Sequence, residues 1–124
     1  MRASGSPKLP ILPKRGDFLA AARARKAVMP GLILQMRVRE NDHEPARVGY
    51  TASKKVGGAV VRNRARRRLR AAVHDVLAAQ AKPGHDYVLI ARAATAARGY
   101  DDLVADLETA LQRVERAKPR GERR

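Results

Sequence analysis

The residues best suited to chemistry in this sequence form a basic run between Lys54 and Arg70. This stretch holds eight Lys or Arg side chains and no acidic one. Most are arginines, whose planar guanidinium donates paired N–H groups to phosphate oxygens and stacks on flat rings. The run therefore indicates binding of a polyanion. Its members are Lys54, Lys55, Arg62, Arg64, Arg66, Arg67, Arg68 and Arg70.

Helical geometry places most of these arginines on one outward surface. At about 100° per residue, the small and branched side chains of the stretch share an arc of roughly 120° that predicts the buried face. Arg62 projects onto that arc, but it lies in the first turn, where its side chain can pass the edge of the sheet. The predicted buried residues are Val61, Ala65, Leu69, Ala72, Val73 and Val76, and the predicted outward arginines are Arg64, Arg66, Arg67, Arg68 and Arg70.

The alternative for this surface is an ordinary solvated helix face. Such faces usually mix charges, because like charges at i,i+4 destabilise a helix. Arg62, Arg66 and Arg70 are successive i,i+4 neighbours with no local compensation, which favours a nucleic-acid partner. Asn63 lies among them and has two readings, a capping or turn role or hydrogen bonding to a sugar or base edge.

Composition supports a nucleic-acid partner and limits the other classes of function. The chain has 124 residues, with 27 Lys plus Arg against 12 Asp plus Glu, a formal charge of +15. There is no Cys, and His43, His74 and His85 lack metal-ligand spacing. No apolar run approaches the ~20 residues of a membrane span, and Pro10 and Pro13 interrupt the start, so no signal peptide is predicted. We expect a cytoplasmic protein.

The elements that must position the basic run form one domain. Residues 1–13 are predicted to be disordered, 14–117 to form a single RNA-binding domain, and 118–124 to be a disordered basic tail. Helices are expected over 14–25 and 59–80 and from about Asp101, the last with a stripe of Leu103, Leu107, Leu111 and Val114.

Three strands are predicted between these helices. Residues 31–39 alternate, with Leu32, Leu34, Met36 and Val38 on one face, and residues 47–53 alternate in the same way. The polar loop 40–46 between them predicts an antiparallel hairpin, and 87–91 reads as a strand buried on both faces. The order αββ(β)αβα predicts an α+β fold, a small two-layer sandwich in which a mixed sheet of about four strands packs with three helices.

The segment 47–70 resembles the signature of the bacterial ribonuclease P protein component. Its distinctive parts are Ser53-Lys54-Lys55, Gly57, Ala59-Val60 and Arg62-Asn63-Arg64, followed by Arg66, Arg67 and Arg70. Asp17-Phe18 resembles the N-terminal helix motif of that family, and residues 86–92 resemble its last strand. The resemblance covers residues 9–115.

The resemblance implies a subunit that joins a catalytic RNA and helps it to remove the 5′ leader of precursor tRNA. The RNA would carry the active site and its magnesium, so the protein is expected to hold no catalytic residue, metal or cofactor of its own. It also implies a left-handed crossover around the long helix. The implied RNA-binding residues are Lys54, Lys55, Arg62, Asn63, Arg64, Arg66, Arg67 and Arg70.

A cleft between the sheet and the N-terminal helix would hold the leader. Phe18 has two readings, a cleft residue or an ordinary core residue. The sequence departs from the family at Gly58, where Asn is common, and at Ala22 and Gln35, where the family often has aromatic residues. Each lost aromatic removes a surface on which a base could stack, worth about 1–3 kcal/mol. The predicted cleft residues are Phe18, Ile33, Gln35, Arg37, Thr51 and Ser53.

Two other functions are compatible with a basic surface. One is a structural RNA-binding module such as a ribosomal protein. The other is a self-sufficient nuclease, which is disfavoured because metal-dependent phosphoryl transfer needs convergent carboxylates or histidines, and the basic run has none. DNA is not expected as a partner, because heptads, zinc ligands and helix-turn-helix spacing are missing.

Overall fold

The structure, a computed structural model, describes residues 9–39 and 42–116. Helix α2, the π-helical stretch and α3 follow one another without a break and are called the long helix below. The elements are α1 (Arg15–Ala22), β1 (Arg25–Val28), β2 (Leu32–Val38), β3 (Arg47–Thr51), a 3-10 turn (Lys54–Val56), α2 (Ala59–Ala72), the π-helical stretch (Val73–Leu77), α3 (Ala78–Gln80), β4 (His85–Ala91) and α4 (Tyr100–Arg116).

The four strands form one mixed sheet in the order β1-β2-β4-β3. Strands β1 and β2 are antiparallel, as are β2 and β4, whereas β3 runs parallel to β4. A parallel pair needs a crossover connection, and the long helix supplies it between β3 and β4. The predicted α+β fold with a mixed four-stranded sheet and three helices is confirmed, while the left-handed sense of the crossover stays a prediction.

The main core lies between one face of the sheet and two helices. Leu34 and Met36 of β2 are paired with Leu89 and Tyr87 of β4, and all four side chains are buried. The long helix and α4 cover this face. Their fully buried side chains include Leu69, Leu77, Leu103, Leu107 and Leu111. Helix α1 packs on the other face, where a smaller cluster joins Leu12, Ala21 and Val88.

The predicted hairpin between the strands at 31–39 and 47–53 is wrong. Strand β4 lies between β2 and β3 and pairs with both. The reason is burial, because β4 is apolar on both faces and a central position is the one that buries both. The chain therefore leaves β2 on one side of the start of β4 and enters β3 on the other side. Strand β4 itself is confirmed and extends two residues further back, to His85.

Strand β1 was missed, and it supplies the hairpin partner of β2. Residues Arg25 to Val28 contain only two apolar side chains, and Val28 is exposed at this sheet edge. An edge strand of this kind has little alternation to detect. The predicted helix over 14–25 consequently ends too late, because the chain leaves α1 at Ala22 and enters β1.

The segment at 9–13 was predicted to be disordered, and this is wrong. Leu12 donates its N–H to the Val48 carbonyl at 2.9 Å, and Val48 donates to the Pro10 carbonyl at 2.8 Å. The Leu12 side chain is buried. These contacts, which sequence periodicity could not reveal in so short a segment, extend the open edge of β3. Residues 1–8 and the predicted tail at 118–124 lie outside the described residues.

Two further burial predictions were wrong at the ends of elements. Val61, placed on the buried arc, is 37% exposed, and Val38, placed on the core face of β2, is 45% exposed. Both lie where the element runs past the structure that would cover it. The remaining arc residues (Ala65, Leu69, Ala72, Val73 and Val76) and the predicted stripe of α4 are buried as predicted.

Candidate nucleic-acid interface

The basic residues occupy the first turns of the long helix and the 3-10 turn before it. Gly57 joins the two with φ 149°, a backbone conformation that favours glycine, and a Cβ there would lie 3.0 Å from the Val61 side chain. We call the resulting surface the basic face. It consists of Lys54, Lys55, Arg62, Asn63, Arg64, Arg66, Arg67 and Arg70.

The side chains of the basic face are largely uncompensated by protein acids. Arg64 and Arg67 are exposed and make no hydrogen bond or ion pair within residues 9–39 and 42–116. Arg70 is also exposed, and its guanidinium carbon lies 5.5 Å from the centre of the Tyr50 ring. Burial raises the pKa of Tyr50 to about 12, with Arg70 opposing the shift, so the phenol stays neutral. Such a surface suits phosphate groups.

Asn63 does not cap the long helix. The N-cap position is Gly58, and Asn63 is exposed one turn further along. Its side-chain oxygen accepts a hydrogen bond from Arg66 Nη1 at 3.0 Å. The structure therefore leaves the amide on the basic face, where it orients Arg66.

Arg62 is half-buried at the start of the long helix. Its Nε is buried without a hydrogen-bond partner among the described residues. A buried donor without an acceptor is costly, and a phosphate oxygen is one group that could satisfy it. This agrees with the expectation that Arg62 lies between the buried arc and the outward surface.

Arg68 differs from its neighbours on the same helix. Its Nε donates to the Thr95 carbonyl at 3.0 Å, and its Nη2 donates to the Arg98 carbonyl. It thus holds the loop between β4 and α4 against the long helix. Although Arg68 lies outside the buried arc as predicted, its guanidinium is used within the protein.

A cleft lies between α1 and the outer face of the sheet, with a volume of about 440 Å³. Three of the predicted cleft residues, Phe18, Gln35 and Thr51, line it together. The other three, Ile33, Arg37 and Ser53, are not among its lining residues. Ala22, identified from the sequence as a cleft position without its usual aromatic residue, also lines it. The remaining lining residues were missed and come from α1, the two residues before it and β4, namely Pro13, Lys14, Arg15, Leu19, Val88 and Ile90.

Phe18 lines the cleft and also packs against other residues of the protein, while a role in leader binding stays a prediction. Its ring lies directly on the backbone of β3, where a Cβ at Gly49 would be 2.6 Å from it. It also packs against the cluster of Leu12, Ala21 and Val88 while remaining half-exposed. The ring is therefore fixed by packing and still presents a surface to the cleft.

An arginine–aspartate cluster anchors α1 to the sheet beside this cleft. Asp86, fully buried in β4, accepts hydrogen bonds from Arg47 Nε at 2.9 Å and from Arg39 Nη1. Asp17 of α1 lies 3.4 Å from both Arg37 and Arg47. We define this cluster as Asp17, Arg37, Arg39, Arg47 and Asp86.

The cluster explains why Arg37 is absent from the cleft wall, since it also lies 3.6 Å from Asp86. A hydrogen bond to Asp42 and the charge of Asp86 raise the pKa of Arg39. A hydrogen bond to Asp86 raises that of Arg47. A buried carboxylate is tolerated where hydrogen-bonded cations surround it. The one signal in the sequence was an acidic residue at the start of an otherwise apolar strand.

The described part of the chain presents neither a metal-ligand cluster nor a membrane-spanning helix. No group of three or more His, Asp or Glu side chains within residues 9–39 and 42–116 could hold a metal ion. None of the helices in those ranges is both long enough and apolar enough to span a membrane.

The chain is similar to known proteins in both sequence and fold. The family model described as Ribonuclease P matches residues 7–115. The ribonuclease P protein component of Caulobacter vibrioides is 51% identical over 104 residues, covering 84% of this chain and 70% of that protein. That of Ruegeria pomeroyi is 50% identical over 111 residues, covering 88% and 89%.

Solved structures show the same fold. The Staphylococcus aureus RNase P protein matches with a TM-score of 0.66 and 24% identity, over 85% of this chain and 94% of that one. The RNase P protein from Thermotoga maritima matches with a TM-score of 0.65 and 19% identity, over 90% and 99%. The resemblance inferred from residues 47–70 is confirmed.

Proposed function

This chain belongs to the ribonuclease P protein family, and we propose that its basic face binds the catalytic RNA while its cleft holds the 5′ leader of precursor tRNA. Membership makes it the protein component of an RNA–protein endoribonuclease with a role in tRNA processing. It also decides against the ribosomal-protein alternative, whereas the inactivity of the protein without its RNA stays a prediction. The division of labour between the two surfaces is the proposal.

The observation that carries the proposal is the uncompensated charge of the basic face. Arg64 and Arg67 have no acidic partner in the described chain, and the segment 54–70 contains no acid. Like charges in one turn of a helix destabilise it, and phosphates of a bound RNA would remove that repulsion. Since arginine forks also match phosphate geometry, the surface fits an RNA backbone.

The side chains that line the cleft are of the types that bind a single strand of RNA. Proteins that hold single strands combine an aromatic surface with a cationic groove. Phe18 supplies the ring, and Lys14 and Arg15 line the same cleft. Only two residues separate Thr51, in the cleft, from Lys54, on the basic face, so an RNA strand could pass from one to the other. We infer that the leader is read mainly through shape and charge, because Ala22 and Gln35 provide no further rings.

The chemistry of leader removal is proposed to belong to the RNA and to magnesium held there. Asp17, which precedes the cleft residue Phe18, and Asp86, two residues before the cleft residue Val88, are each paired with arginines. Their oxygens are committed to the arginine–aspartate cluster. The protein would therefore contribute binding and orientation. The expected cytoplasmic location stays a prediction.

Reconstitution with the catalytic RNA of the same organism tests the proposal. We expect Arg64→Ala to weaken assembly for every substrate by about 1–3 kcal/mol, the range for a charged hydrogen bond. Arg113→Ala, an exposed arginine on α4, is the matched control and should have no effect. The protein with magnesium but without RNA should not cleave precursor tRNA. Cleavage that survives complete removal of RNA would contradict the proposal.

A further inference from the structure

A second cavity, of about 590 Å³, shares Phe18 as a lining residue with the cleft. It is bounded by the segment before α1, the β3 edge and the long helix. Its apolar floor includes Ile11, Val48, Val73 and Ala78. The volume falls within the range of about 300–1,000 Å³ typical of ligand pockets. We call it the helix cavity.

The rim of the helix cavity is cationic and aromatic. Arg66 and Arg70, one turn apart on the long helix, line it together with Tyr50. No Asp or Glu is among its lining residues. The Arg70 guanidinium already lies over the Tyr50 ring, which forms a flat, polarisable wall. The cavity thus joins an apolar interior to an anion-binding edge.

We propose that the helix cavity receives one unpaired nucleobase of the RNA strand whose phosphates lie on Arg66 and Arg70. A nucleotide matches both halves of the site, since its base is flat and its phosphate is anionic. An apolar floor without carboxylates suits a base stacked on the Arg70–Tyr50 pair. The inference rests on the proposed function, because it assumes that RNA runs along the basic face.

Filling the cavity while keeping every arginine tests this proposal. Ala78 lines the cavity, so Ala78→Leu would place three additional carbons in the space of the base. Ala79→Leu, on the exposed side of the same turn, is the matched control. The probe is the catalytic RNA of the same organism, with and without precursor tRNA, bound to the full chain over a range of salt concentrations.

We expect Ala78→Leu to weaken binding about tenfold, within the range for loss of one stacked base, with the log–log salt slope unchanged. An unchanged slope separates base insertion from phosphate contacts, which change it by about 0.7–0.9 each. A loss with the catalytic RNA alone assigns the base to that RNA. A loss that needs precursor tRNA assigns the base to the tRNA.

Tyr50 provides a second, independent variant in case Ala78→Leu does not fold. Tyr50→Leu should reproduce the tenfold loss, and Tyr50→Phe, which keeps the ring, should restore wild-type affinity. Wild-type affinity in both Ala78→Leu and Tyr50→Leu would overturn the cavity assignment while leaving the basic face intact. Wild-type binding that ignores salt would instead overturn the proposed function. The cavity could instead be occupied by residues 1–8 of the chain itself. In that case Tyr50→Leu would lower the free energy of unfolding of the full chain but not of a chain that lacks residues 1–8, and this result would also overturn the proposal.

Discussion

Arginine serves opposite purposes in two regions of this protein. In the arginine–aspartate cluster, Arg39 and Arg47 surround a fully buried Asp86, and Arg47 also pairs with Asp17 of α1. On the basic face, Arg64 and Arg67 are exposed and find no acidic partner among the described residues. The residue type is the same in both places. Its surroundings determine whether the guanidinium pairs with a carboxylate of the protein or remains available to bind an anionic partner.

The contrast has an energetic consequence. Removing one partner of a buried ion pair leaves an uncompensated charge away from water, which is strongly destabilising. Removing an exposed, unpaired arginine relieves repulsion and costs the fold little. Variants of the arginine–aspartate cluster should therefore lower the free energy of unfolding, whereas variants of the basic face should lower RNA affinity and leave stability almost unchanged.

The largest effect is expected for Asp86→Asn. The amide keeps the shape of the carboxylate but leaves Arg39 and Arg47 without their shared anion. The free energy of unfolding should fall by about 3–5 kcal/mol, the range for breaking a buried pair. Urea denaturation of the protein alone measures it, with Arg64→Ala as the control that stays within about 0.5 kcal/mol of wild type. A loss below about 1 kcal/mol would show that the cluster does not anchor the fold.

Phe18→Ala sharpens the comparison at the boundary between the regions, because Phe18 follows Asp17 of the cluster and lines the cleft. We expect substrates with a leader of several nucleotides to bind more weakly by about 1–3 kcal/mol, the value of stacking on one ring. Substrates without a leader should bind unchanged. Leu19→Ala, which removes a more exposed side chain from the same cleft, should have a smaller effect.

The measurement is substrate affinity as a function of leader length in the assembled enzyme. An unchanged length dependence in a folded Phe18→Ala variant would remove Phe18 from the leader site. Unfolding of the variant would instead assign Phe18 to the core, in keeping with its contact with Gly49.

The smallest effect separates two adjacent arginines on one helix. Arg68 donates to the carbonyls of Thr95 and Arg98, whereas Arg67 has no such contact. Arg68→Ala should lower stability by about 1–2 kcal/mol through those hydrogen bonds and leave RNA affinity near wild type. Arg67→Ala should instead lower RNA affinity and leave stability near that of the wild type. If Arg67→Ala and Arg68→Ala changed stability and RNA affinity by the same amounts, the contacts of Arg68 with Thr95 and Arg98 would not give it a separate role.

Periodicity in the sequence predicted the helices and most of their buried faces. Ala65, Leu69, Ala72, Val73 and Val76 are buried because spacing along one helix is local information. The basic face followed from the same projection. The prediction of RNA as its partner came from charge and from the resemblance, and the resemblance alone indicated which kind of RNA.

Strand order and side-chain partners could not be predicted in this way, because they depend on residues far apart in the sequence. The pairing of β2 with β4 joins residues such as Leu34 and Leu89, and the cluster joins Asp17 to Arg47. Arg37 and Arg39 look like solvent-facing residues of a strand until Asp86 is placed beside them. The separate role of Arg68 could not be predicted for the same reason, because its partners Thr95 and Arg98 are distant in the sequence.

The salt dependence of RNA binding is the most direct test of the claim that the basic face binds the catalytic RNA. If about five phosphates are neutralised, the log–log slope for the wild-type protein should lie near −3.5 to −4.5. Replacing Arg64, Arg66, Arg67 and Arg70 together by Ala should make that slope about 3 less steep, while Arg23→Ala with Arg113→Ala leaves it almost unchanged. A fourfold variant that folds and keeps the wild-type slope would contradict the account, as would wild-type binding that does not respond to salt.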